Sequence, residues 1–406
     1  MYHSNLLKVS KAIKTINKLY ITTGKERIDL KDGNSRVLAH EIQVLIDVPP
    51  FNRSAMDGFA VITEDLKNAS NAEPIYLKVV DEVTAGSISD HVLKFGEAIR
   101  IATGGQIPNG ANAIVMEEDV EFDGKKIRIV SPVRFNNDVS LRGEDLKKGE
   151  VILREGQILG PHHLSVIASA GHKDIEVYKK PKIGVIITGN ELVEPSINLE
   201  PGMIINSNKY ALKGVIEDSL ALAYIKHCPD NRDQLMNEFK EYVEKYDALI
   251  TTGGTAISKG DLIVEIIEEL GEVPVHGVSI KPGKPFGFGI INQTPVFMLS
   301  GYPVAVAVQY DIFVREYILK TQNIHQKFNI VMAVAGDDLR SSPDKYNVIR
   351  AYYNQNDGVV YPIRTRAGIN KSILLSNCYI IAEEGVGKVK KGDKCHILEY
   401  RSLKVC

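Results

Sequence analysis

Residues 246–270 read as a strand, a glycine-rich loop and a helix in direct succession, and this run constrains the fold more than any other. Ala248-Leu-Ile250 is short, apolar and unbroken, as a buried strand must be. Residues 251–260 are small, hydroxylated and rich in glycine, and Asp261 closes them. Leu262-Ile-Val-Glu-Ile-Ile-Glu-Glu-Leu270 then carries apolar side chains at helical spacing, with Gly271 as a stop. Exposed backbone N–H groups leading into a helix N-terminus favour a phosphate or another oxyanion. The same residues also read as a tight turn in which Asp261 caps the helix or holds a cation.

The alternation extends from Lys182 to about residue 319. Strands are expected at 183–187, 222–228, 248–250 and 295–299. Helices are expected from a cap at Asn206 to about 220, at 234–245, at 262–270 and from 303 to about 319. This pattern predicts an α/β domain, a doubly wound parallel sheet with helices on both faces. Ligands of such sheets sit outside the carboxyl ends of the strands. The loops 188–191, 251–261, 281–285 and 300–303 fall there.

The flanking sequence has other periods. A polar amphipathic helix is expected over 9–19, and residues 36–44 read as a strand or alternatively a helix, with Pro49-Pro50 marking the end. Strands at 75–80, 98–102, 113–117 and 126–130 make 49–140 a β-rich unit, with Arg53, Ser54, Asp57 and Thr103 in its loops. A strand near 151–153, a short helix over 161–170 and a linker at 177–181 follow. Residues 1–48 and 141–178 are expected to form one discontinuous domain interrupted by 49–140. The α/β domain then covers 179–324. Strands at 329–335, 347–353, 358–362, 378–382 and 395–399 make 325–406 a small β-barrel or sandwich.

With 406 residues, 44% of them hydrophobic and 25% charged, the chain has material for several cores. A net charge of −2 argues against a general nucleic-acid-binding surface. No apolar run approaches the roughly 20 residues of a membrane span, and no signal peptide is recognised, so a cytoplasmic protein is expected. The four cysteines are scattered, which fits a reducing compartment and provides no cysteine zinc site.

Lys281-Pro-Gly-Lys-Pro285 holds two ammonium groups on a stiff turn. That spacing suits a phosphate or another dianion, although a solvated basic turn has the same composition. It is not a phosphate-binding loop of the P-loop kind, because Lys284 is followed by proline. Glu191, Asp230 and Asp261 each close a strand-end loop. Carboxylates beside phosphate-binding lysines are a usual way to hold Mg²⁺ against a phosphorylated ligand.

Seven short motifs occur in order. They are Arg53-Ser-Ala-Met-Asp-Gly-Phe-Ala60, Arg100-Ile-Ala-Thr-Gly-Gly105 with Pro108, Gly143-Glu-Asp145, and Thr188-Gly-Asn-Glu-Leu192 behind Pro181. Thr252-Gly-Gly-Thr255 with Gly260-Asp261, the lysine turn, and Gly301-Tyr-Pro-Val304 complete the set. Together the chain resembles the molybdopterin molybdenumtransferase family, the MoeA and gephyrin E-domain type. The resemblance implies a four-domain, elongated homodimer whose site joins one subunit's α/β domain to the β-rich insertion of the other. It implies insertion of molybdate or tungstate into adenylylated molybdopterin, with divalent-cation-dependent loss of AMP.

By the same resemblance, Asp57, Thr103, Glu191 and Asp261 are catalytic, and Glu191, Asp230 and Asp261 hold Mg²⁺. The ligand would meet Ser207, Thr252, Gly253, Gly254, Thr255, Ser258, Lys281, Lys284, Pro285, Gly301, Pro303 and Arg350. The chain departs from the family pattern in several places. Asn190 stands for an aspartate, Ser300 and Ala305 for a proline and a serine, Lys345 for an arginine, and Ala367 for a second serine. The resemblance implies that three oxyanion contacts are weakened by these changes. Two other readings are a molybdopterin adenylyltransferase, whose MogA/MoaB-type fold the α/β domain also resembles, and a non-catalytic molybdopterin-binding scaffold.

Overall fold

The computed structural model describes residues 6–19, 21–253, 261–324, 330–365 and 368–400. Its central sheet has six strands, in the order Leu222–Cys228, Lys182–Thr188, Ala248–Thr252, Thr294–Leu299, Gly287–Ile291 and Glu272–His276. The first four are mutually parallel. Gly287–Ile291 runs antiparallel to both of its neighbours, so Glu272–His276 shares the direction of the first four and one reversed strand makes the sheet mixed and not wholly parallel as expected. The cause is a two-residue hairpin. Asn292 and Gln293 both have positive φ, 48° and 69°, and join Gly287–Ile291 directly to Thr294–Leu299. A turn with positive φ at both central residues matches the twist of paired strands.

Alternate side chains of the unbroken apolar strands point to opposite faces, so each face needs its own helical cover. Ile183, Val185 and Ile187 pack with Leu212 and Ile216 of Ser207–Asp218 and with Tyr310, Phe313 and Tyr317. Ile186, Leu249 and Met298 pack on the other face with Leu235 and Phe239 of Arg232–Lys245 and with Ile263 and Ile267 of Leu262–Leu270. The N-terminal helix Val9–Ile16 also joins the first of these cores, through Val9, Ala12 and Ile16.

The helix after Pro303 changes pitch. Pro303–Gln309 and Arg315–Thr321 are α-helical, and Tyr310–Val314 between them is a π-turn. Its first residue, Tyr310, is fully buried. The phenol oxygen lies 2.8 Å from Ser219 Oγ and 2.9 Å from the Val215 carbonyl oxygen. Burial pushes that phenol well above its ordinary pKa, so it stays neutral. Tyr310→Phe is expected to cost about 1 kcal/mol, because Ser219 Oγ still reaches the Val215 carbonyl. A lowered denaturation midpoint with unchanged m-value would show this.

Near the N-terminus, Lys25–Asp29 pairs antiparallel with Asp174–Tyr178, and Ile42–Gln43 pairs with Val151–Leu153. Residues 177 and 178 therefore belong to a buried strand and not to a linker. The single strand expected over 36–44 is also absent. Val37 and Leu38 form isolated bridges to Ile158 and Val177, and the chain bends before Ile42. Residues 58–129 hold a separate six-stranded sheet in which Gly58–Val61 lies between Ala113–Met116 and Glu97–Ile101. In the C-terminal part, Tyr346–Asn354, Val359–Pro362, Ile330–Ala335, Lys394–Glu399 and Cys378–Ala382 pair in turn. The last returns to the first, closing a five-stranded barrel. Ile280–Lys281 adds a short parallel strand to Tyr346–Asn354, which ties the lysine turn to the barrel.

Candidate active site

Register aligns the carboxyl ends of the four parallel strands. Thr188 sits opposite Cys228, Ile187 opposite Thr252, and Thr252 opposite Leu299. The loops that leave these ends therefore share one edge, where parallel α/β sheets bind ligands. The Thr188 hydroxyl donates to the Asp230 carboxylate. The Asp230 amide donates to Asn190 Oδ1 at 3.1 Å, and His227 Nε2 lies 2.9 Å from the Gly189 carbonyl. Two of the loops are thus stitched together, and Asn190 still provides an oxygen acceptor there.

Gly253 is fixed by close approach. Its φ is 93°, and a Cβ placed on it would stand 2.0 Å from the Thr188 carbonyl oxygen. Gly253→Ala is expected to destabilise the fold by at least about 2 kcal/mol and to misplace the following loop. Chemical denaturation measures the first effect and ligand titration the second. Gly254, Thr255 and Ser258 lie outside the described residues.

Asp261 is buried and caps Leu262–Leu270, accepting from Ile263 N at 3.2 Å and Val264 N at 3.4 Å. Ser207 opens the helix Ser207–Asp218, whose cap Asn206 accepts from Lys209 N. The next residue, Asn208, donates from Nδ2 to the Gly301 carbonyl at 2.9 Å and so joins this helix N-terminus to the 300–303 loop. Pro303 begins the next helix, where a missing N–H costs nothing. Ala305 is buried in its first turn.

Sequence reasoning missed Gln309. This side chain is fully buried and spans two loops, with Oε1 accepting from Ser300 N at 2.8 Å and Nε2 donating to the Gly283 carbonyl at 2.7 Å. The available signal was one amide in an otherwise apolar helical run, 303–308.

Lys281 is exposed and donates to Ser342 Oγ at 3.1 Å, while Lys284 and Pro285 are half-buried. Beside the turn lies a pocket of about 310 Å³ lined by Lys281, Arg340, Asn347, Arg350, Arg364 and Thr365, among others. Arg350 is 7% exposed. Its Nη2 donates to Thr365 Oγ1 at 2.9 Å, and its Nε and Nη1 have no hydrogen-bond partner among the described residues. Burial lowers its pKa from the ordinary value. Arg340 and Thr365 were not anticipated from sequence. Lys345 is half-buried, and Ala367 lies outside the described residues.

Asp57 and Thr103 come together on the β-rich sheet, where Gly58 sits opposite Ile101. Asp57 Oδ1 accepts from Thr103 N at 2.7 Å and Thr103 Oγ1 at 3.0 Å. The backbone bond first, then the hydroxyl, holds this carboxyl below its usual pKa, with Arg100 adding to the effect. Both residues are exposed. Among the described residues no hydrogen bond or ion pair connects them to the loops of the central sheet. Nor do any three His, Cys, Asp or Glu side chains gather as a metal-holding group among the described residues.

Strand-end loops, a lysine turn and a neighbouring barrel with a buried arginine define an α/β protein with an edge suited to an anionic ligand. The family model described as MoeA N-terminal region (domain I and II) matches residues 7–171. A probable molybdopterin binding domain matches 184–320, and the MoeA C-terminal region (domain IV) matches 332–400. The chain is 39% identical to the molybdopterin biosynthesis protein MJ0666 of Methanocaldococcus jannaschii, over 96% of this chain and 97% of that one. It is 32% identical to the molybdopterin molybdenumtransferase of Staphylococcus aureus strain COL, over 97% and 96% of the two chains. A solved molybdopterin biosynthesis MoeA protein from Pyrococcus horikosii superposes with a TM-score of 0.86 at 31% identity, covering 97% of this chain and 99% of that one. The chain belongs to the MoeA family.

Proposed function

We propose that this chain is a molybdopterin molybdenumtransferase, which inserts molybdate or tungstate into adenylylated molybdopterin with release of AMP. The observation that carries the reading is the lysine turn, set at a strand-end edge and joined by Ile280–Lys281 to a barrel with the buried Arg350. Lys281, Lys284 and Arg350 would hold the anionic parts of the ligand, by charge-assisted hydrogen bonds. Ser207, Thr252, Gly253, Pro285, Gly301 and Pro303 would meet the same ligand, as would Gly254, Thr255 and Ser258, which lie outside the described residues. Asp57 and Thr103 would act from a second copy of the chain. The low pKa of Asp57 keeps it ionised at neutral pH.

Oxygen donors suit Mg²⁺, which typically takes one or two protein carboxylates and keeps its other positions for water and ligand phosphates. Asp230 and Glu191 fit that pattern, and the absence of a three-residue cage among the described residues does not oppose it. Asp261 would contribute while also capping its helix. Bound there, the cation would neutralise phosphate charge. A homodimer in the cytoplasm is part of the proposal. So is a division into 1–48 plus 141–178, 49–140, 179–324 and 325–406. Among the described residues no helix is long and apolar enough to cross a membrane.

The test is AMP release from adenylylated molybdopterin with and without molybdate. Molybdate-dependent release supports the transferase. An adenylyltransferase would instead consume ATP and molybdopterin, and a scaffold would bind without releasing AMP. Oxyanion affinity is expected to be low in the natural chain, since Ala305, Lys345 and Ala367 stand where the family has donors. Each restored bond to a charge is worth about 1.5–3 kcal/mol. Restoring serine at 305 and 367 and arginine at 345 should therefore tighten molybdate binding by at least about tenfold in a calorimetric titration.

A further inference from the structure

We propose that Gln309 is a positioning residue that sets the lysine turn against the 300–303 loop, a proposal that rests on the transferase reading. Both ends of its carboxamide are used, one as acceptor from Ser300 N and the other as donor to the Gly283 carbonyl. Reversing the amide would set donor against donor and acceptor against acceptor, so its orientation is fixed. Gly283 lies between Lys281 and Lys284. Its φ is 108°, and a Cβ there would meet Gln309 Cγ at 2.9 Å, so the turn approaches this closely only as glycine. Ser300 in turn precedes Gly301, whose carbonyl receives Asn208 Nδ2. One buried amide thereby relates both lysines, the strand-end loop and the N-terminus of Ser207–Asp218.

The arrangement is matched to this chain. A proline at position 300 would have no N–H to give Gln309 Oε1. Serine restores the donor. A leucine at 309 would fill nearly the same volume yet leave Ser300 N and the Gly283 carbonyl unpaired in a dry interior. Its loss would therefore loosen the ammonium spacing more than the hydrophobic packing.

Two variants test this, with steady-state AMP release, amide exchange at Ser300 and melting temperature measured on each. Gln309→Leu should raise KM for adenylylated molybdopterin about tenfold, the scale of one lost hydrogen bond, with kcat within about twofold. Exchange at Ser300 should accelerate. Gln309→Glu separates positioning from packing. The ionised carboxylate keeps the Ser300 bond but opposes the Gly283 carbonyl, whereas the protonated acid restores both. Burial raises the carboxyl pKa. The KM of this variant, relative to the natural chain, should fall toward one as pH drops through that titration and climb above it. A ratio independent of pH overturns the proposal. So does a Leu variant whose KM is unchanged although Ser300 exchange has accelerated, or one in which that exchange does not change. If the natural chain releases no AMP, the transferase reading fails separately. Calorimetry with adenylylated molybdopterin then decides, and the proposal stands only if affinity falls together with Ser300 protection.

Discussion

Replacing Lys281 and Lys284 together by alanine should weaken binding of adenylylated molybdopterin by about 3–6 kcal/mol, twice the usual range for one charge-assisted hydrogen bond. Neither lysine forms an ion pair among the described residues, and Lys281 meets only a serine hydroxyl. Their charges are therefore available to a ligand. The turn carries them on a short strand joined to the barrel, and Gly283 between them is anchored by Gln309. This double anchoring limits the entropy lost when an anion binds. Because Lys281 is exposed and Lys284 half-buried, the fold should survive, with a melting temperature close to that of the natural chain. Calorimetry with the nucleotide-bearing ligand gives the affinity. An unchanged value in the double variant would make this a solvated basic turn.

The central domain was legible because its strands are unbroken apolar runs separated by helical periods, and those signals are local. The hairpin was not. Asn292-Gln293 lacks the Asn-Gly or Asp-Gly pair that marks a tight turn, so nothing announced that Gly287–Ile291 precedes its partner directly. Asp174–Tyr178 alternates as a strand should, but its partner Lys25–Asp29 is far away in sequence, and no local pattern records that pairing. The same distinction holds at the site. Lysines, prolines and glycines at 281–285 declare themselves by composition. Gln309 acquires meaning only after topology brings Gly283 and Ser300 to either end of its amide. Asp57 and Thr103 were named by family resemblance, and their hydrogen bonds depend on a cross-strand register that the sequence alone does not set.

Mixing an Asp57→Ala chain with a Lys284→Ala chain is expected to restore activity that neither has alone. Asp57 is ionised, exposed and oriented by Thr103, yet it is unconnected to the central loops within its own chain. A carboxylate held in this way fits a ligand that reaches it from another copy. In a twofold dimer with shared sites, a mixed pair has one site carrying both defects and one carrying none. Random pairing makes half the dimers mixed, so the mixture should recover roughly a quarter of the natural activity. The Asp57→Ala parent should fall by about 10²–10³-fold, the scale of losing one group that meets developing charge, and the Lys284→Ala parent by about 10–100-fold, the scale of one lost charge-assisted bond. Lys284 is a better partner than Asp261, because an alanine at 261 also removes the cap of Leu262–Leu270, worth about 1 kcal/mol, and would confound loop folding with chemistry. Native mass spectrometry verifies that mixed dimers have formed. If they form and activity stays at the mean of the two parents, each site is complete within one chain, and Asp57 has to be assigned a role on the β-rich sheet itself.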